Sequence, residues 1–301
     1  MPRARGETDA RSLVGAFRQL PPEVFSIPDA PVRLPMTVTS TGGAAVEVMI
    51  NGQKREFLLD TGAGVSIVAS DVAAELGLEP IGSESTSAQT ATTRTVALRP
   101  TVIPRLRIGA IEIGNHPAGI IDHADLELRL LGLFTIVKID GIIGWPALSK
   151  LHVELDFANR QVVLKKPDRP RRSNANFFWL GCPLVRIAAE NRYPLNFGVD
   201  TGSRDSSATA SLLRKLRPAG VARRAITTGS AGGLETAEAD VIADMTLVVG
   251  ATALRFENLA TTHEEPTAAM QADGTLGVDV ARNGRLIIDY ENGRYEIVHA
   301  L

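Results

Sequence analysis

A single cysteine, Cys182, rules out any intrachain disulfide, and its plainest role is a buried structural thiol. Aromatic side chains are scarce: two Trp, three Tyr and nine Phe in 301 residues, so Val, Ile, Leu and Ala must fill the interior. Net charge is nearly absent, at −2, and no basic stripe interleaves with aromatics, which argues against a nucleic-acid partner. The short cluster Arg169-Pro170-Arg171-Arg172 reads as a solvated linker. The histidines His116, His123, His152, His263 and His299 are scattered without ligand spacing, so no metal and no other cofactor is expected. No apolar run is long enough to span a membrane, and the first ten residues lack the apolar core of a secretory signal. Read as an entire gene product, the chain would be cytoplasmic; read as a processed form, it would be periplasmic or exported.

What is present is a 44% hydrophobic content, enough for two small cores, with abundant Thr, Val and Ile and frequent Gly. That composition suits a β-rich fold with many turns. One tripeptide occurs twice, as Asp60-Thr61-Gly62 and Asp200-Thr201-Gly202. Each copy ends a short apolar run, Phe57-Leu58-Leu59 and Phe197-Gly198-Val199. One copy alone would read as an Asx-type turn after a strand. Two copies raise the question of whether their surroundings repeat.

They do. The two aspartates are 140 positions apart, and Leu106-Arg107-Ile108-Gly109 answers to Leu247-Val248-Val249-Gly250 at an offset of 141. Asp140-Gly141-Ile142-Ile143-Gly144 answers to Asp273-Gly274-Thr275-Leu276-Gly277, and Asp156 to Asp289, both at 133. The order is kept, and the offset changes mainly at a Leu/Ile-rich insertion around Leu126 to Ile139 in the first half. So long a period excludes a solenoid and fits two copies of a whole lobe.

With these motifs the chain resembles the retropepsin-like and pepsin-like aspartic proteases, over roughly residues 33 to 301. The short lobes are similar to a retropepsin subunit, and their fusion in one chain is similar to pepsin, an arrangement of bacterial type. The resemblance implies a mainly β fold: two pseudo-twofold-related acid-protease β-barrel lobes with a cleft between them. Expected bounds are an N-terminal arm at 1–32, a first lobe at 33–167, a linker at 168–176 and a second lobe at 177–301. Asp60 and Asp200 would be the catalytic pair. Two carboxyls so close cannot both ionise cheaply, so they hold one proton between them and activate one water. Thr61 and Thr201 would bond backbone across the lobe interface. Gly62 and Gly202 would permit the turns and offer N–H groups to the carboxylates. Ser203, where the first lobe has Ala63, would donate its hydroxyl to Asp200 and bias the proton toward Asp60.

Flap hairpins are expected next. In the second lobe the Gly-rich stretch Gly229, Ser230, Ala231, Gly232 and Gly233 would close over a peptide; in the first lobe Thr90, Ala91 and Thr92 would sit at the tip. Neither flap has a Tyr. Asp140 and Asp273 read as turn residues, capping or exposed. Helices are expected at Ser12 to Leu20, Ala69 to Leu76 ending at Gly77, and Asp205 to Leu216, and a hairpin at Asn51-Gly52. The implied function is an aspartic endopeptidase acting on an extended polypeptide. The competing reading is a catalytically silent peptide-binding or scaffolding protein on the same fold. Two lobes in one chain complete the site, so a monomer suffices, and a dimer is also compatible.

Overall fold

Asn51 and Gly52 both take positive φ, 50° and 80°, as a two-residue type I′ turn requires, and strands Ala44–Ile50 and Gln53–Leu59 pair antiparallel on either side of them. The computed structural model describes residues 15–18, 20–82, 85–89, 95–126, 128–130, 134–137, 139–167, 175–230, 233–262 and 272–299. Of the helix expected at Ser12 to Leu20, residues 12–14 and 19 lie outside the described residues, and the backbone is helical at 15–17.

The repeat seen in the sequence is a repeat of topology. In the first half, Gly141–Ile143 is inserted between Gln53–Leu59, to which it runs parallel, and Ser66–Ala69, to which it runs antiparallel. In the second half, Gly274–Leu276 sits in the same way between Pro194–Val199 and Ser207–Ala208. The insertion is tight. A Cβ on Gly141 would lie 2.5 Å from the Phe57 ring, and one on Gly274 would lie 2.4 Å from the Phe197 ring. Both rings are fully buried, so only glycine lets the distal strand close onto the strand that carries the aspartate.

The aspartates that precede these glycines are structural. Asp140 Oδ2 accepts the Glu56 N–H (3.0 Å), and Asp273 Oδ2 accepts the Asn196 N–H (3.0 Å). Asp273 is fully buried and also accepts from the Ser211 hydroxyl (2.9 Å) and Lys215 Nζ (2.6 Å). The charge is therefore paired as well as hydrogen-bonded, as burial demands.

The two halves share a five-stranded sheet, in the order Val32–Pro35, Gln161–Lys165, His152–Asp156, Gly284–Asp289, Arg294–His299. Its middle seam pairs Leu155 with Leu286 and His152 with Asp289. His152 Nδ1 meets Asp289 Oδ2 at 3.1 Å, a buried hydrogen bond between the halves. A nine-stranded sheet belongs to the first half and an eight-stranded sheet to the second. The aromatic residues, though few, gather at the junction. Trp145 stacks on Trp179 (5.6 Å between centroids) and meets Phe177 and Tyr290 edge-on. Both tryptophans of the chain are thus spent on this contact.

Two helices flank the repeated motif. Ser70–Glu75 ends at Gly77, whose φ of 67° satisfies the expected stop. The second-half helix is shorter than expected, spanning Ala210–Leu216, and it stops at Arg217, itself left-handed at φ 47°. Residues 205–209 are drawn out of the helix by tertiary bonds: Ser207–Ala208 pairs as a strand, and Ser206 binds Asp279. Among the described residues no helix is long and apolar enough to cross a membrane.

Trp145→Ala would leave a void at the junction and should destabilise the protein by about 3–5 kcal/mol, read from urea unfolding followed by far-UV circular dichroism. A loss under about 1 kcal/mol would mean that the aromatic cluster does not hold the halves together.

Candidate active site

Asp60 and Asp200 each follow the last residue of an inner strand, and the distal strand fixes both in the same way. Asp60 N–H donates to the Ile143 carbonyl and Asp200 N–H to the Leu276 carbonyl, each at 3.0 Å. The chain then turns back under its own carboxylate. Asp60 Oδ1 accepts the N–H of Gly62 (2.8 Å) and of Ala63 (3.2 Å). Asp200 Oδ1 accepts the N–H of Gly202 (2.9 Å) and of Ser203 (3.2 Å).

The threonines carry the halves into register. Thr61 N–H donates to the Thr201 hydroxyl (3.0 Å), which donates to the Leu59 carbonyl (2.7 Å). Reciprocally, Thr201 N–H donates to the Thr61 hydroxyl (3.0 Å), which donates to the Val199 carbonyl (2.8 Å). Both threonines are buried, so water cannot replace these partners.

This lock brings the carboxyl groups together. A Cβ on Gly62 would lie 2.6 Å from Asp200 Cγ, and one on Gly202 would lie 2.5 Å from Asp60 Cγ. Each glycine is bare because the opposite carboxylate occupies the space. The two carboxyls stand face to face, and each keeps a partly exposed edge. Burial, then the charge of Asp200, push the Asp60 carboxyl well above the ordinary carboxylate range. The arrangement can hold one proton between two oxygens beside an open edge, with the remaining charge pinned by backbone N–H groups.

Ser203 behaves differently from expectation. Its hydroxyl donates to the Asp205 carbonyl (3.1 Å), and only its N–H reaches Asp200. The two carboxylates therefore receive matching pairs of backbone donors, and no serine hydroxyl distinguishes them. Of the flap residues, Thr90, Ala91, Thr92, Ala231 and Gly232 lie outside the described residues. Gly229, Ser230 and Gly233 stand at the end of the long ribbon Val221–Ser230 with Gly233–Val249, where Gly233 has φ 115°. The corresponding first-half hairpin pairs Thr86–Gln89 with Thr95–Ile108. Among the described residues no group of three or more His, Cys, Asp or Glu is placed to hold a metal ion.

Two supports were not assigned from the sequence. Ser66 and Ser206, each six residues beyond its aspartate, accept the N–H of Gly144 (2.9 Å) and Gly277 (3.0 Å). They share the 140-residue offset of the aspartates, a signal that would have revealed them.

Thr61→Val or Thr201→Val leaves a buried N–H and a buried carbonyl of the other half unpaired, and each should lower stability by roughly 2–4 kcal/mol in equilibrium denaturation. An effect within about 0.5 kcal/mol would show that the exchange is dispensable.

Residues 46–147 match the family profile described as aspartyl protease. Among solved structures, an aspartic proteinase from Irpex lacteus is similar over 88% of this chain and 96% of its own, at 11% identity and a TM-score of 0.55. A retropepsin-like aspartic protease from Rickettsia conorii is similar over 49% of this chain and 97% of its own, at 15% identity and a TM-score of 0.34. A comparison with curated proteins finds no match. The first half thus matches the aspartyl protease family, and the chain has the two-lobed fold of the aspartic proteases that its repeated motif resembles.

Proposed function

We propose that the protein is an aspartic endopeptidase in which Asp60 and Asp200 hydrolyse a peptide bond of an extended polypeptide held between lobes 33–167 and 177–301. The observation that carries this reading is the reciprocal approach of Gly62 to the Asp200 carboxylate and of Gly202 to the Asp60 carboxylate. Two carboxyls in that position share a proton. The ionised one takes a proton from water as the water attacks the scissile carbonyl carbon. The protonated one donates to the carbonyl oxygen as charge develops there. The resulting tetrahedral carbon collapses when the leaving nitrogen is protonated and the carbon–nitrogen bond breaks. Burial and the neighbouring charge push the ionisation of the pair upward, so the dyad keeps its shared proton where a free carboxylate would have lost it.

Supporting residues act through the pair. Thr61 and Thr201 hold the lobes in register, and Gly62, Ala63, Gly202 and Ser203 orient the carboxylates through their N–H groups. The ribbon ending at Gly229, Ser230 and Gly233 is long enough to reach over a bound chain. Backbone pairing with an extended peptide would supply affinity, with side chains alternating into pockets on either side.

Folded Asp60→Asn and Asp200→Asn variants should each lose cleavage of a denatured-protein or peptide-library substrate by about 10³-fold or more, scored by mass spectrometry of products. Full retention in either variant removes the shared dyad. Absence of cleavage by the wild type from acid to neutral pH would favour a peptide-binding role instead.

Stability gives a second check. An unfolded aspartate titrates near ~4, and Asp60 in the fold titrates higher, so its ionisation costs stability. The cost is absent below ~4 and grows as pH rises toward the raised value. Asp60→Asn should therefore melt above the wild type at pH 7, and the gain should fade as the pH approaches 4, in calorimetric scans. An equal gain at both pH values would contradict the origin given to the shift.

A further inference from the structure

We propose that Glu23, in the segment ahead of the first lobe, is a positioning residue for the dyad, acting through His116 and Ser66; this rests on the peptidase reading. The equivalent serines of the two lobes are braced differently. Ser206 donates to Asp279 Oδ1 (2.6 Å), a residue of the same distal turn as Gly277. In the first lobe the position that answers to Asp279 is Pro146, which offers no side-chain acceptor. Ser66 turns instead to His116 Nε2 (2.7 Å), on strand Ile111–Ile121. His116 Nδ1 in turn meets a carboxylate oxygen of Glu23. His116 and Ser66 are fully buried, and the Glu23 side chain is 21% exposed.

The donor inventory gives this chain a direction. Glu23 can only accept, so His116 Nδ1 carries its hydrogen, and in the neutral imidazole Nε2 accepts from the Ser66 hydroxyl. The Ser66 oxygen is then left to accept the Gly144 N–H (2.9 Å). Gly144 follows Ile143, whose carbonyl holds the Asp60 N–H, and precedes Trp145, whose N–H donates to the Ala63 carbonyl (2.8 Å). Ala63 is itself a donor to the Asp60 carboxylate. Glu23 therefore stands at the far end of a hydrogen-bonded strut that ends on both sides of Asp60.

The segment carrying Glu23 is seated for this task. Val24–Ser26 forms an edge strand on Ile111–Ile121, with Phe25 opposite Ile113. Asn115 Nδ2 donates to the Pro22 carbonyl (3.2 Å). Residues 22–26 are thus a brace of the first lobe, whereas the second lobe braces itself.

The test compares Glu23→Ala with Glu23→Gln, whose amide oxygen can still accept from His116. For a peptide that the wild type cleaves, Glu23→Ala should lower kcat about tenfold while KM stays within about twofold, and Glu23→Gln should return to within about twofold of wild type. Amide exchange, read without substrate, should quicken at Gly62, Ala63 and Gly144 in Glu23→Ala and stay unchanged at Gly202, Ser203 and Gly277. Removal of residues 1–26 should reproduce the Glu23→Ala pattern, and removal of 1–14 should not. An unchanged kcat, equal loss in the Gln and Ala variants, exchange rising in both lobes, or failure of Glu23→Ala to fold each overturns the proposal. If the wild type cleaves nothing, the peptidase reading fails alone: exchange confined to the first-lobe motif still supports the strut, and unaltered exchange removes it.

Discussion

Thr61 and Thr201 each present an N–H and a hydroxyl to the other half of the molecule and satisfy them there, in a place water does not reach. Leaving any of these groups unpaired would cost far more than the bond itself yields. The exchange therefore tolerates little sliding or rotation between the halves. Because each threonine adjoins an aspartate, the same constraint sets the separation of the two carboxyl groups. The need for glycine at 62 and 202 follows, since a Cβ at either position would run into the opposite carboxylate.

Around that symmetric centre the two copies have diverged wherever symmetry was not required. The aspartate strands, the distal strands and the glycines that let them close are matched one for one. The supports are not. One serine is held by Asp279 of its own lobe's distal turn, the other by His116 and a residue upstream of the lobe. Trp145 builds an aromatic contact with the second half, while its counterpart in the repeat, Val278, joins the aliphatic core. Hydrogen bonds at the twofold centre must be exchanged by both copies at once, so a change in one copy is penalised in both. Side chains further out make no reciprocal exchange with their counterparts and are free of that coupling.

The helix after the second motif shows where local preference yields. The stretch from Asp205 to Leu216 has helical spacing, yet Ser206 is taken as a partner by Asp279 and Ser207–Ala208 pairs as a strand. Tertiary hydrogen bonds to a half-buried carboxylate outweigh the small propensity of a few residues for helix. Ser203 is a similar case. Its place after the motif suggested a donor to Asp200, but the turn aims its hydroxyl at the Asp205 carbonyl. Which way a hydroxyl points is decided by backbone angles that the residue type does not encode.

By itself the sequence determined the two-lobe repeat, the aspartate pair, the paired glycines and the turn at Asn51-Gly52. These depend on spacing, on residue chemistry and on backbone angles that few residues adopt. Tertiary structure alone decided the burial of Asp273, the course of the Ser66 and Ser206 hydroxyls and the junction built from Trp145. Each of these joins residues from 32 to 145 positions apart, and no local pattern records which distant partner a buried polar or aromatic group will meet.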